Sequence, residues 1–132
     1  MEYKNIFILG NIDNTFNKSI SIILARKMPN YIEKYCYMKI HRHLDITVLA
    51  LCDEKLIDRT LIKGKTKITI SKKFYGEKKI KISEIEKMCK SATIINAIGK
   101  DVVDALSKIY DNIYIAAIWI ENIPHVQIIK MG

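Results

Sequence analysis

The amino-acid sequence predicts an α+β domain in which helices cover one face of a small mixed or antiparallel sheet, as a two-layer sandwich. Short apolar runs bounded by turn residues indicate strands, and segments with a helical spacing of apolar residues lie among them. The resulting order is strand, strand, helix, strand, strand, helices, strand, strand. A chain of 132 residues is long enough to bury such a core without disulfides or a metal.

The clearest helical pattern covers residues 83–109. Ser83 and Glu86 form a predicted capping box, and apolar residues recur behind it with the period of a helix. Gly99 predicts a break, after which Asp101 caps a second helix that runs to about Ile109. The predicted inward face consists of Ile95, Ile98, Val102, Ala105, Leu106 and Ile109.

Strands are predicted where apolar and polar residues alternate or where a short apolar run is bounded by turn residues. They cover residues 39–43, 46–52, 66–71, 79–82, 113–120 and 126–130. Asp53 is the predicted N-cap of a short helix over residues 53–61. Phe74, Tyr75 and Gly76 form a predicted turn between two lysine-rich strands, and an antiparallel pairing of those strands would place their outward lysines on one surface.

Residues 1–37 differ in composition from the rest of the chain. Asn, Ile, Lys, Tyr and Phe, which have A/T-rich codons, make up 22 of these 37 residues but 42 of the remaining 95. One interpretation is an extension with a mis-assigned start, so that the protein begins at Met38. The other is a short strand at residues 5–9 and a helix at about residues 19–28. In either case residues 38–132 are predicted to form a single α+β domain.

Two features favour a cytoplasmic protein with no membrane association. The longest apolar runs are well below the ~20 residues that span a bilayer, and the patch at residues 6–9 is shorter than the apolar region of a signal peptide. Cys36, Cys52 and Cys89 are an odd number of cysteines without a C-x-x-C pair. We expect reduced thiols, mostly buried.

Nearly all the excess positive charge lies between residues 63 and 81. This stretch holds eight lysines and one acid, Glu77, so it carries 8 − 1 = +7 of a formal net charge of +8. Ammonium groups on outward strand positions, with aromatic rings at the turn, suit a surface that follows a nucleic-acid backbone. The predicted nucleic-acid-binding residues are Lys65, Lys67, Lys72, Lys73, Phe74, Tyr75, Lys78, Lys79 and Lys81. The alternative is a sheet edge that lysines protect from aggregation.

Pro124-His125-Val126-Gln127 is a candidate ligand site. Strand alternation puts His125 and Gln127 on the same side, where an imidazole and an amide can bind a base edge, a phosphate or a metal. The alternative is a pair of side chains that satisfy buried backbone groups beside a rigid proline.

Four sequence motifs follow one another along the chain. They are C-D-E-K-L-I-D-R-T-L at 52–61, S-K-K-F-Y-G at 71–76, A-T-I-I-N-A-I-G at 92–99 and P-H-V-Q at 124–127. Together they resemble the archaeal domain-of-unknown-function family numbered 424, over about residues 38–131. The resemblance implies a compact α+β domain of about the length that follows Met38, in an archaeal cytosolic setting. It brings no activity, substrate or catalytic residue.

The expected function is a non-enzymatic RNA- or ribosome-associated binding domain in archaeal information processing. An enzyme that acts on a nucleotide or RNA, with His125 as acid/base or phosphate ligand, is the alternative, and a protein-interaction module is third. No catalytic residue, metal or cofactor is assigned from the sequence, and the oligomeric state is left open.

Overall fold

A mixed six-stranded sheet forms the centre of the computed structural model, which describes residues 32–130. The strands are β1 Tyr35–His43, β2 Ile46–Asp53, β3 Thr60–Lys63, β4 Thr66–Thr69, β5 Lys78–Lys81, β6 Ile94–Ile98, β7 Ile118–Ile120 and β8 Ile123–Ile129. The helices are α1 Lys72–Tyr75, α2 Ile85–Cys89, α3 Lys100–Ser107 and α4 Ile113–Ala116. This combination confirms the α+β class.

The order of the main sheet is β5-β1-β2-β6-β8-β7, and β3 pairs with β4 in a separate two-stranded sheet. Strands β2 and β6 are parallel, whereas the other pairs of the main sheet are antiparallel. Residues 49–52 of β2 are buried on both faces, as expected for a central strand made of a continuous apolar run. The strands predicted at residues 39–43 and 46–52 are confirmed, and they pair in antiparallel fashion as β1 and β2 around a turn at Leu44 and Asp45.

Alternate residues of the sheet contribute to two hydrophobic clusters. Leu49, Leu51 and Ile95 pack in the first cluster, which includes the apolar residues of α2, α3 and α4. Ala50 and Ile98 belong to the second cluster, which includes buried residues of β3, α1 and β7. The longer helices therefore share one face of the sheet, and the small hairpin with α1 packs against the other.

The predicted helix before Gly99 is wrong in its second half. Helix α2 ends at Cys89, and residues 94–98 form β6 between β2 and β8. In a strand, Ile95 and Ile98 point to opposite faces, and both are buried because each face carries a core cluster. Their three-residue spacing fits either element, and β-branched side chains buried on both faces favour the strand. The break at Gly99 is confirmed, since α3 begins at Lys100.

Two further predictions near the lysines are wrong. The 66–71 strand does not pair with the 79–82 strand, because β4 pairs with β3 and β5 joins the edge of the main sheet beside β1. The predicted turn at residues 74–76 is the end of α1, and Ser71 caps this helix because its side chain accepts a hydrogen bond from the N–H of Phe74. The lysines of β4 and β5 therefore lie in different sheets.

Two predicted elements are shorter than expected. The 113–120 strand is helix α4 followed by the three-residue strand β7. The 53–61 helix is a 3-10 turn over Glu54–Leu56, and the Asp53 side chain makes no capping hydrogen bond to it. Asp53 instead caps α3, because its two carboxylate oxygens accept hydrogen bonds from the N–H groups of Asp101 and Val102.

The predicted N-terminal strand and helix lie outside the described residues. Strand β1 begins at Tyr35, so the predicted boundary before Met38 falls inside a strand of the main sheet. The two interpretations of residues 1–37 stay predictions. Across residues 32–130, no helix is long and apolar enough to cross a bilayer.

The three cysteines are buried free thiols, as predicted. Burial raises the pKa of Cys36 and of Cys52 to about 12 and the pKa of Cys89 to about 11. Such thiols are protonated at neutral pH and are poor nucleophiles.

Candidate nucleic-acid interface and polar site

Residues 60–75 form a continuous layer over one face of the main sheet, and we call this segment the basic cap. It consists of β3, β4 and α1, and it contains five lysines and no carboxylate. Leu61, Ile70 and Tyr75 are its buried residues, and they pack with Ala50 and Ile98 of the sheet. The lysines point away from this core and are all exposed. They are Lys63, Lys65, Lys67, Lys72 and Lys73.

The lysines differ in their ionic partners. Lys72 lies 3.4 Å from a carboxylate oxygen of Asp58, and Lys79 of β5 lies 2.5 Å from one of Glu54. A hydrogen bond and the charge of Glu54 raise the pKa of Lys79. Within the described part of the chain, no carboxylate pairs with the remaining exposed lysines of this region. They are Lys63, Lys65, Lys67, Lys73 and Lys78.

The ammonium groups of β5 do not join those of β4 through strand pairing. Lys79 and Lys81 lie on the edge strand beside β1, opposite Tyr37 and Tyr35, and Lys81 is only partly exposed. The predicted surface of paired lysine strands is therefore corrected to two regions, the basic cap and the β5 edge.

The two aromatic rings predicted to stack on a base are engaged inside the protein. Phe74 stacks on His41 with ring centroids 4.7 Å apart, and its own carbonyl oxygen lies 2.8 Å from Nε2 of His41. Tyr75 is only 7% exposed and meets Phe74 edge to face. Because a base stacks on an open ring face, Tyr75 is corrected from a binding residue to a core residue.

A polar cluster lies on the same face of the sheet, next to the basic cap. Asn96 of β6 is opposite Gln127 of β8, and its Oδ1 accepts a hydrogen bond of 2.6 Å from the Tyr75 hydroxyl. Nε2 of His125 lies 3.2 Å from the same oxygen. The exposed Gln127 amide completes a group that we call the polar site, made of Asn96, His125 and Gln127.

Burial lowers the pKa of His125. Its imidazole is therefore neutral at neutral pH, and a neutral ring that donates from Nε2 to Asn96 retains its acceptor at Nδ1. Burial also raises the pKa of Tyr75, so the hydroxyl that faces Asn96 keeps its proton. The polar site is an uncharged set of hydrogen-bonding groups.

Sequence reasoning missed Asn96 because it assigned residues 83–98 to a helix. The available signal was the single polar residue in the run I-I-N-A-I at residues 94–98. In a strand buried between two neighbours, a polar side chain in such a run requires a hydrogen-bonding partner. Tyr75 and His125 supply it here. Among the described residues, no three His, Cys, Asp or Glu side chains are grouped to hold a metal ion.

The fold and this surface define a small α+β domain with a basic cap over one face of a mixed sheet. The chain belongs to the family described as "Protein of unknown function (DUF424)", which matches residues 41–131 and confirms the resemblance of the sequence motifs. A solved structure described as an uncharacterized conserved protein from Methanopyrus kandleri is similar, with a TM-score of 0.61 and 23% identity over 74% of this chain and 95% of that chain. This likeness concerns the fold alone. Comparison with curated proteins gives no match.

Proposed function

We propose that the protein is a non-enzymatic RNA-binding domain of archaeal information processing, which binds RNA, free or in the ribosome, through its basic cap. The observation that supports this proposal is the segment of residues 60–75, which contains five exposed lysines and no carboxylate of its own. Among the described residues, Lys72 alone of the five has a carboxylate partner, Asp58. Lysines that meet phosphates release counterions, and this supplies most of the sequence-independent affinity. In this role, the main sheet and the helices on one of its faces act as a two-layer scaffold that holds the cap in place.

The position of the cap also suits this role. The hydrophobic side chains of β3, β4 and α1 hold it on the sheet, so its lysines project from a fixed surface. Lys39 of β1 donates a hydrogen bond of 2.8 Å to the carbonyl of Lys73, which ties α1 to the sheet as well. A preformed cationic surface loses less conformational entropy on binding than a flexible tail does.

The salt dependence of RNA affinity tests the proposal. If the five lysines of the cap each meet a phosphate, log affinity falls against log salt with a slope of roughly −3.5 for a single strand. The double substitution Lys65→Glu/Lys67→Glu is expected to weaken binding to a labelled single-stranded RNA and to flatten the slope by at least ~1.4. The measurement is fluorescence anisotropy across a range of salt concentrations.

The matched control makes the same change of charge on another surface. Lys90 and Lys100 are exposed and lie with α2 and α3, away from the cap, so Lys90→Glu/Lys100→Glu is expected to change the slope much less. Equal losses of RNA affinity in the two double variants would show that binding depends only on the net charge of the protein. That result, or no detectable RNA binding at low salt, would overturn the proposal.

An enzyme acting on a nucleotide or RNA is the second candidate, because neutral His125 lies beside Asn96 on an accessible part of the sheet face. In that case His125 acts as acid/base or as a phosphate ligand. The test is turnover of RNA and nucleotides by the purified protein. Loss of a measured turnover in His125→Gln, with unchanged unfolding, would favour the enzyme over the binding domain.

A further inference from the structure

The Asn96 amide has a defined orientation. Its Oδ1 accepts from Tyr75 and is within hydrogen-bond distance of Nε2 of His125, so both lone pairs of that oxygen have partners. The Nδ2 group therefore turns away from both of these residues. Within residues 32–130, no group accepts a hydrogen bond from this nitrogen, although Asn96 is partly buried. The Nδ2 group of Asn96 is therefore a hydrogen-bond donor with a fixed orientation and no acceptor among the described residues.

Gln127 lies directly across the strand ladder from Asn96. Side chains at such paired positions have Cβ atoms about 5 Å apart. The exposed Gln127 amide has both a donor and an acceptor that the described residues leave without a partner. The two amides together present a donor from Asn96 next to a donor or acceptor from Gln127.

Apolar side chains stand on both sides of these amides. Ile94 pairs with Ile129 at one end, and Ile118 pairs with His125 at the other. Ile118 and Ile129 are 53% and 60% exposed, which is unusual for large apolar residues on a sheet face that is elsewhere covered. The arrangement suits a flat ligand with apolar faces and a hydrogen-bonding edge.

The absence of charge in the polar site restricts its ligand. His125 is neutral, and both amides are uncharged, so a phosphate group is better served by the lysines of the cap. Asn and Gln amides suit nucleobases, because each base presents adjacent donors and acceptors on one edge.

We infer that Asn96 and Gln127 bind the edge of a nucleobase, with Ile118 and Ile129 beside it and with Tyr75 and His125 as positioning residues for the Asn96 amide. This inference deepens the proposed function and rests on it where the base comes from a bound RNA. A free nucleotide is the other candidate source of the nucleobase.

Nucleosides test the inference because they carry bases but no phosphate for the lysines. The side-chain amide signals of Asn96 and Gln127 are followed by NMR while adenosine, guanosine, cytidine or uridine is added. At least one nucleoside is expected to shift both signals. Asn96→Asp keeps an oxygen for Tyr75 and His125 but removes the donor, and it is expected to weaken nucleoside binding at least tenfold.

Asn122→Asp is the matched control, because Asn122 is an exposed turn residue outside the polar site, and it is expected to leave nucleoside affinity unchanged. If Asn96→Asp fails to fold, Gln127→Glu supplies the test on an exposed side chain, with the same expected loss. Shifts that are absent for all four nucleosides at millimolar concentration, or equal affinities of Asn96→Asp and Asn122→Asp, would overturn the inference.

RNA binding by the same variants separates this inference from the proposed function. If RNA supplies the base, Asn96→Asp lowers the preference for strands that contain the bound base but leaves the salt slope of the cap intact. Nucleoside binding without RNA binding would support the polar site with a free nucleotide as its ligand, and it would defeat the proposed function. Salt-dependent RNA binding without nucleoside binding would keep the proposed function and overturn the inference.

Discussion

The carboxylate of Asp53 accepts a hydrogen bond of 2.9 Å from the backbone N–H of Val102, 49 residues further along the chain. A second hydrogen bond of 3.0 Å comes from the N–H of Asp101. Asp53 ends β2, and Val102 lies in the first turn of α3, so one side chain joins the central strand to the longest described helix. Burial raises the pKa of Asp53, and the two backbone hydrogen bonds act in the opposite direction.

Asp53→Ala is expected to lower the free energy of unfolding by about 1–2 kcal/mol, because two N–H groups at the start of α3 lose their acceptor. Denaturant unfolding measures the change. Asp45→Ala, at an exposed carboxylate in the β1–β2 turn, is the control and is expected to change stability by less than ~0.5 kcal/mol. Equal effects of the two substitutions would contradict the capping role.

Gly99 and Asp53 are expected to be energetically coupled. Gly99 has a φ of 125°, and a Cβ at this position would overlap the Asp53 carboxylate. Gly99→Ala is therefore expected to destabilise through both backbone strain and this overlap, each on the order of 1–3 kcal/mol. In the Asp53→Ala background only the strain persists, so the double variant is expected to lose less than the sum of the single losses. A strictly additive cycle would contradict the close contact.

Local sequence signals predicted the elements whose residues interact with near neighbours. Examples are the two strands predicted on either side of residues 44 and 45 and the break at Gly99, and both are confirmed. Residues 94–98 show the limit, because their spacing fits a helix or a strand, and the choice depends on burial between β2 and β8. The role of Asp53 was missed for the same reason: its partners are remote in sequence.

The candidate site likewise combines residues that a local sequence pattern predicts with residues whose role depends on partners remote in sequence. Strand alternation in P-H-V-Q was enough to put His125 and Gln127 on one face of β8. The contribution of Asn96 depends on β6 pairing with β8, and that of Tyr75 depends on α1 folding over β2. Neither relationship has a local signature, so spacing alone supplied two of the three residues of the polar site and did not place the aromatic rings inside the protein.

A chain that begins at Lys34 is expected to fold, since residues 34–132 form a compact unit of their own. A chain that begins at Met38 is expected to lose at least ~2 kcal/mol, because it lacks Cys36, which is fully buried between Asp53 and Ile80. Thermal and denaturant unfolding of the two chains measures the difference. Equal stabilities would show that the first residues of β1 contribute little and would favour a native start at Met38.

His125 is expected to make stability depend on pH. Burial lowers its folded pKa below the ordinary value of 6.5, so the native state binds fewer protons than the unfolded state in this range. The contribution of neutral His125 to the free energy of unfolding is fully present above pH 6.5 and is lost as the pH falls through the folded pKa of His125. The difference in unfolding free energy between the wild type and His125→Gln is therefore expected to shrink from pH 7.5 toward lower pH. A difference independent of pH would contradict the assignment.

Tyr75→Phe tests whether the Tyr75 hydroxyl positions Asn96. The substitution keeps the buried ring but removes the donor to Asn96 Oδ1, so a loss of about 1–2 kcal/mol is expected. Tyr114→Phe is the matched control, because its hydroxyl meets Asp104 at 3.3 Å on the surface, and it is expected to lose less than ~0.5 kcal/mol. Denaturant unfolding gives both values.

Tyr75→Ala removes the ring as well and is expected to lose a further ~2–3 kcal/mol, since Tyr75 packs in the cluster beneath the basic cap. A ring that served only to stack on RNA would give the opposite pattern, with little change in stability and a loss confined to RNA affinity. In a double-mutant cycle, Tyr75→Phe and Asn96→Ala are expected to couple by more than ~0.5 kcal/mol, because each removes the partner of the other. Independent effects would show that the hydroxyl and the amide do not act as one group, and the orientation of the Asn96 donor would then need another cause.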